Sequence, residues 1–454
     1  MLIVLSDGAG LTARQCATVL AGAGHQVEAL SPGGLCLCRM TRHVRRVHDV
    51  PAIGRDPFGW LDAALGVAAR RRAEVLLPVQ EQVAVMSLAR DRIEAAGLAT
   101  AVPAFGALAQ VQDKVSAFGT LTRAGLPQPP AVAAATAAQL AELADAAEPG
   151  LPAYVKTPIG TASAGVRRVT SREALRRLAA DYERHGVFGQ GGVLVQQPVA
   201  GPLVMLQAVF ARGELVAFHA CERVREGASG GASHKLGRHL PQAREHVARL
   251  GAALDWHGAL SADVILALDG PRSQSVQFID INPRLVEPGN ALASGVDLAG
   301  ALVEVALSGP AQVGTVRPQP DGQPGARTHQ LLLAVLGAAR RGRRRDVARE
   351  LRDAALGRGD YQGSAEELTP GRGDPLAALP VAVTALATLV RPAAWRHFTG
   401  GSVSAYALTP AAWHELTTRA AFRPDDRSPD DRSPDGGGPD AGAPGPPSGL
   451  VSRR

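Results

Sequence analysis

The sequence predicts an α/β protein with a small N-terminal domain, a larger central α+β domain and a helical C-terminal region. Three observations carry this. Leu2-Ile3-Val4-Leu5, a glycine-bearing turn, a helical stretch over about 12–23 and a second strand at Gln26-Val27-Glu28-Ala29-Leu30 form a βαβ opening. Two strand-forming runs, Leu260 to Leu266 and Phe278 to Ile281, flank the turn signal Asp269-Gly270-Pro271-Arg272 and predict a hairpin. Beyond residue 316 helical patterns take over.

The length of 454 residues suits two or three domains, and 46% hydrophobic with 20% charged residues is a globular composition. A net charge of +6, from 48 basic and 42 acidic residues, is modest for this length, and with 4% aromatics it gives no case for nucleic acid. Cys16, Cys36, Cys38 and Cys221 lack the spacing of a redox or zinc pair and read as reduced structural thiols. Met1 to Leu5 runs directly into a strand with no basic region before it, so a cytoplasmic location is expected.

The first turn, Ser6-Asp7-Gly8-Ala9-Gly10, has two glycines of a dinucleotide fingerprint, but position 13 is Ala13. A Rossmann-like domain whose turn faces a substrate fits better than one holding NAD. Thr12 is a candidate N-cap. A helix over about 56–70 leads to the buried strand at Glu74 to Val79 and then to Gln80-Glu81-Gln82. Glu81 stands either at the ligand-bearing end of that strand or in the first turn of a helix, where an acid favours the dipole.

In the central part, Gln112-Asp113-Lys114 opens a helix that ends near Gly125-Leu126-Pro127. Lys114 reads as a solvated lysine or as a phosphate contact. Lys156 ends the strand Pro152 to Lys156 and enters the small-residue loop Thr157 to Val166. Such a loop lets backbone N–H groups approach an anion while the lysine supplies charge, although no Walker A sequence is present. The segment Cys221 to Lys235 holds Arg223 and Arg225 beside a Gly/Ser loop, an expected anion clamp, with Arg225 the favoured contact. His219 and His234 read either as bases or as hydrogen-bonded structural histidines.

The hairpin is the most informative stretch. On a strand, residues two apart share a face, so Asp280 and Asn282 project together, about 6–7 Å apart at Cα. Asp263, on the other arm, adds a second carboxylate. Two carboxylates and an amide suit Mg²⁺, a hard cation that keeps phosphate and water ligands. Pro283 ends the pairing, and Arg284 follows where its fork can reach a phosphate.

The run Asp280-Ile281-Asn282-Pro283-Arg284, with an acid on the preceding strand, resembles the metal-binding end of ATP-grasp enzymes. The resemblance covers roughly residues 1–310. It implies a pre-ATP-grasp domain at 1–110 and an ATP-grasp domain at 111–310. By resemblance, Asp263, Asp280 and Asn282 hold Mg²⁺ (or Mn²⁺), Lys114 and Lys156 hold phosphates, and Ser163 and Gly165 lie in the flexible loop over them. Gln196, Gln197 and Val199 lie on the hinge that binds the adenine edge. The sequence departs from the family here, since Gln-Gln stands where many relatives carry Glu, and no ribose carboxylate follows Gly201. The implied activity is that of an ADP-forming ligase: ATP activates a carboxylate as an acyl phosphate, an amine displaces the phosphate, and Arg284 and Arg225 steady the transferred group. The alternatives are a bicarbonate-using carboxylase or carbamoyl-phosphate-like enzyme, and a catalytically weak ATP-binding regulatory or membrane-associated module.

Residues 311–423 form the expected helical region, with an arginine-rich helix around Arg340 to Arg349. The apolar run Pro375 to Val390 is short for a spanning helix, which leaves burial or contact with a membrane surface. The Asp-Arg-Ser-Pro repeats and Gly/Pro-rich end at 424–454 read as a disordered tail.

Overall fold

The computed structural model describes residues 1–161, 165–228, 230–270, 273–309, 314, 316–368 and 373–421. The expected tail at 424–454, like Ser163, lies outside the described residues.

The N-terminal domain is a parallel sheet in the order β3-β2-β1-β4, from β1 (Leu2–Leu5), β2 (Gln26–Ser31), β3 (Arg46–Asp49) and β4 (Val75–Leu77). Ile3, Val4 and Leu5 are fully buried, as a parallel strand covered on both faces requires. The first helix runs Leu11–Gly22 with Gly10, not Thr12, at its N-cap. Thr12 instead accepts a hydrogen bond from the Glu287 backbone N–H at 3.1 Å.

A second sheet, in the order β5-β8-β6-β7, is antiparallel and joins β5 (Ala131–Ala134), β6 (Ala153–Lys156), β7 (Val166–Val169) and β8 (Val193–Gln196). The helix Lys114–Arg123 leads into it. Asp113 caps that helix, accepting from the backbone N–H groups of Val115 at 3.0 Å and Ser116 at 2.8 Å.

The third sheet has the order β13-β12-β9-β10-β11-β14-β15. Its strands are β9 (Leu203–Ala211), β10 (Glu214–Glu226), β11 (Ala232–Arg238), β12 (Gly258–Gly270), β13 (Ser273–Asn282), β14 (Arg327–His329) and β15 (Ser364–Glu366). β12 and β13 form the expected hairpin, interrupted by a bulge: Asp263 pairs with Asp280, but Val264 pairs with Phe278, so Ile279 is the extra residue. The bulge turns Phe278 into the core, fully buried, while Asp280 stays on the opposite face. A second register shift on β10 has Arg223 opposite Lys235 and Arg225 opposite His234, two residues against one.

The C-terminal region is largely helical, as expected, and also adds β14 and β15 to the central sheet. It is fastened to the N-terminal domain. Arg14 pairs with Asp374 at 3.1 Å, Thr409 Oγ1 donates to the Gly54 carbonyl at 2.7 Å, and Trp413 packs on Phe105 with ring centroids 5.7 Å apart. The apolar run ends in a helix, Ala378–Val390, that buries Val381, Thr384, Ala385 and Thr388 and leaves Leu379, Val383, Leu386 and Val390 exposed. Among the described residues no helix is long and apolar enough to cross a membrane.

One buried network ties these parts together. Lys235 Nζ donates to Glu287 Oε2 at 2.6 Å and Glu367 Oε2 at 2.7 Å. Gln330 Nε2 donates to the same two oxygens at 2.6 and 2.7 Å, and Gln15 Nε2 reaches Glu367 at 2.9 Å. The paired carboxylates hold the Lys235 pKa well above the usual lysine value against the opposing effect of burial. Replacing Lys235 by Met strands two buried carboxylates and is expected to cost about 3–5 kcal/mol. Urea denaturation measures it, and a loss under about 1 kcal/mol would show the network contributes little to folding.

Candidate active site

The site forms where the second and third sheets meet the end of the N-terminal sheet. Asp263 and Asp280 face each other across β12 and β13, and Ser261 opposite Asn282 continues the same face. Burial, then the neighbouring Asp280 carboxylate, push the Asp263 pKa up to about 7, while Arg223, Arg284 and Lys156 pull it down. Two carboxylates and an amide oxygen held together in this way are a donor set for a hard divalent cation, and Mg²⁺ fits it. Among the described residues no three His, Cys, Asp or Glu side chains converge on one metal position, so the remaining ligands would be phosphate oxygens and water.

Both predicted lysines reach this face. Lys114 Nζ lies 3.6 Å from Asp280 Oδ1 and donates to the Gly160 carbonyl at 3.2 Å. Lys156 Nζ donates to the Ile279 carbonyl at 2.6 Å and to Gln196 Oε1 at 2.8 Å. The bulged residue thus supplies the carbonyl that links the two sheets. Burial lowers the Lys156 pKa; Asp280 acts against this and Lys114 adds to it. Gln197 donates its backbone N–H to the Pro130 carbonyl at 2.9 Å, and half-buried Val199 follows β8. Gly165 has φ +82°, and a Cβ there would collide with Thr157 Oγ1. A cavity of about 360 Å³ lined by Phe118, Thr122, Leu126 and Val132 among others touches none of Lys114, Lys156, Asp263 or Asp280.

Arg284 turns toward the N-terminal domain. It is buried, donates from Nε to Glu81 Oε1 at 2.9 Å, and acts electrostatically on Asp7. Glu81 thus pairs with Arg284, at the ligand-bearing end of β4. Asp7, in the first turn, accepts from the backbone N–H groups of Ala9 at 3.1 Å and Gly10 at 2.6 Å, and burial pushes its pKa up to about 6.

Arg225 requires a correction. The register shift on β10 sends it to the face away from Lys235, where it pairs with Glu350, lies 3.3 Å from Asp360 and sits over the Tyr361 ring. It is a structural cation there. Arg223 keeps the cleft-facing side and acts on Asp263. Simple alternation puts both arginines on one face, and only the bulge separates them. His219 and His234 also take structural places: burial lowers their pKa values to about 4 and about 3, and His219 Nε2 lies 2.8 Å from Asn290 Oδ1. Sequence reasoning missed Tyr406, whose hydroxyl lies within electrostatic reach of Arg284, Asp7, Glu81 and Glu287, and whose pKa burial raises to about 12.

The fold recurs in solved structures. The biotin carboxylase domain of 2-oxoglutarate carboxylase from Hydrogenobacter thermophilus, in complex with MgADP, ADP and bicarbonate, matches 72% of this chain and 73% of its own, at 17% identity and a TM-score of 0.55. The chain has the ATP-grasp fold. Two further ATP-grasp structures are similar to it. N5-carboxyaminoimidazole ribonucleotide synthetase from Thermus thermophilus covers 72% of this chain and 81% of its own, at 20% identity and a TM-score of 0.53. The N5-carboxyaminoimidazole synthetase of Staphylococcus aureus, complexed with ADP, covers 78% and 86%, at 13% identity and 0.56. No protein-family model and no curated protein matches the sequence.

Gly165, expected over the phosphates, adopts a left-handed turn. Gly165→Ala combines a left-handed φ with a collision, a strain of about 1–3 kcal/mol, and should weaken Mg-ATP binding by about tenfold. Calorimetric titration checks it; an unchanged Kd would separate the loop from the nucleotide.

Proposed function

We propose that the protein is an ATP- and Mg²⁺-dependent ligase that activates a carboxylate as an acyl phosphate and joins it to an amine, forming ADP. The observation that carries this reading is the convergence of Lys114 and Lys156 on the face that holds Asp263, Asp280 and Asn282. Positive charge and cation ligands from two sheets meet across one cleft, which suits a triphosphate.

In the proposed reaction a substrate carboxylate oxygen attacks the γ-phosphorus and ADP departs. The amine nitrogen then attacks the acyl carbon. The carbon–oxygen bond to phosphate breaks, inorganic phosphate leaves with the electron pair, and the nitrogen gives up its proton. Lys114 and Lys156 hold the phosphates and offset the charge that moves between them. Bound Mg²⁺ would neutralise phosphate charge beside Asp263, Asp280 and Asn282. Arg284, fixed by Glu81, steadies the acyl group, and the packed sheets keep the partners aligned. The similarity to an ATP-grasp domain in complex with bicarbonate favours one second reading, in which bicarbonate is the carboxylate.

ADP release with Mg-ATP and a panel of organic carboxylates, bicarbonate and amines tests both. Release that requires an organic carboxylate and an amine supports the first, release with bicarbonate alone the second, and Mg-ATP binding without turnover would leave only a nucleotide-binding module. Asp280→Ala should lower kcat by about 10²–10³-fold, the scale of losing a preorganised charge at the reacting phosphate. Turnover at the parent rate would remove the metal assignment.

A further inference from the structure

The groups around Arg284 describe a second ligand besides the nucleotide. Gln207, on β9, is 1% exposed, and its amide nitrogen donates to the Glu287 carbonyl at 3.4 Å. That bond fixes the amide orientation and leaves Gln207 Oε1 buried with no partner. Gln207 pairs with Ser261, so it shares the face of Asn282 and borders Arg284, whose carbonyl Ser261 Oγ holds at 2.8 Å. Gln80, 3% exposed, also has a buried Oε1 without a partner, and its amide lies against Gly10 and Asp7. Buried acceptors left unmade are costly, and two of them beside the Arg284–Glu81 pair point to a missing donor.

Charge points the same way. Asp7, Glu81 and Glu287 all act electrostatically on the Tyr406 hydroxyl, together with one cation, Arg284, which is already bonded to Glu81. Lys235 is likewise taken by Glu287 and Glu367. Among the described residues, a phosphate brought here would meet carboxylates without an uncommitted cation, and like charges repel.

We infer that the acceptor substrate is a phosphate-free, cationic amine whose N–H groups bind the amide oxygens of Gln207 and Gln80 beside Asp7, under Tyr406. This deepens the ligase reading and rests on it for the role of the amine, though binding itself is measured apart from turnover. The upward shift of the Asp7 pKa agrees, since it marks a buried carboxylate short of positive partners. Tyr406 brings the C-terminal region within electrostatic reach of these groups, so that region is expected to shape the choice of acceptor.

The test uses the full chain with Mg-ATP and four probes: agmatine, 1,3-diaminopropane, O-phosphoethanolamine and aminoimidazole ribonucleotide. Melting temperature against probe concentration reads amine binding, and nucleotide titration reads ATP binding separately. The two phosphate-free cations should raise Tm and the phosphorylated amines should not. Gln207→Leu should leave the ligand-free protein as stable as the parent or more so, because it removes an unpaired buried acceptor, yet raise the half-saturating amine concentration by about tenfold. Tyr406→Phe is the milder variant and should weaken the amine response with the ATP Kd unchanged. Preference for the phosphorylated probes, no amine response in a protein that binds Mg-ATP, or an unchanged response in both variants would overturn the inference and leave the ligase reading standing. An amine response in a protein without Mg-dependent ATP binding would support the pocket and remove the ligase reading.

Discussion

The site depends on one irregularity, the bulge at Ile279. Without it, Phe278 and Asp280 would share a face, and the strand would have either an aromatic ring in the cleft or a carboxylate in the core. With it, the ring is buried and the carboxylate meets Asp263. The same residue offers its carbonyl to Lys156, which is also held by Gln196. A single extra residue in one strand therefore brings the proposed cation ligands together, fixes the lysine and joins two sheets.

The acceptor side is organised differently. Asp7 and Glu81 come from turns at the ends of parallel strands, Arg284 from the end of the metal hairpin and Tyr406 from a helix more than a hundred residues later. Buried pairs hold these pieces: Arg284 with Glu81, Lys235 with Glu287 and Glu367, Arg14 with Asp374. Removing one partner of such a pair is costly, while the intact pair adds little net stability. Their effect here is positional, since each joins segments far apart in sequence.

Local patterns made part of this legible. Period-two spacing put Asp280 with Asn282, and Gln112-Asp113-Lys114 marked the opening of the Lys114 helix. Bulges escaped because alternation assumes a regular strand, which is why Arg225 was expected on the same face as Arg223. β14 and β15, three residues each, carry too little pattern to be read as strands. Tyr406 belongs to no local motif; only packing of the C-terminal region on the N-terminal domain brings it to Arg284.

The linkage of Lys156 to its two oxygen partners bears on the proposed ATP-dependent reaction. An ammonium has three N–H groups, and two are engaged within the protein. Because Gln196 is neutral, it holds the lysine without cancelling its charge. In the proposed reaction the lysine would keep its partners as spent nucleotide departs and not be stranded in a dry crevice, so emptying the cleft would not oblige the two sheets to part.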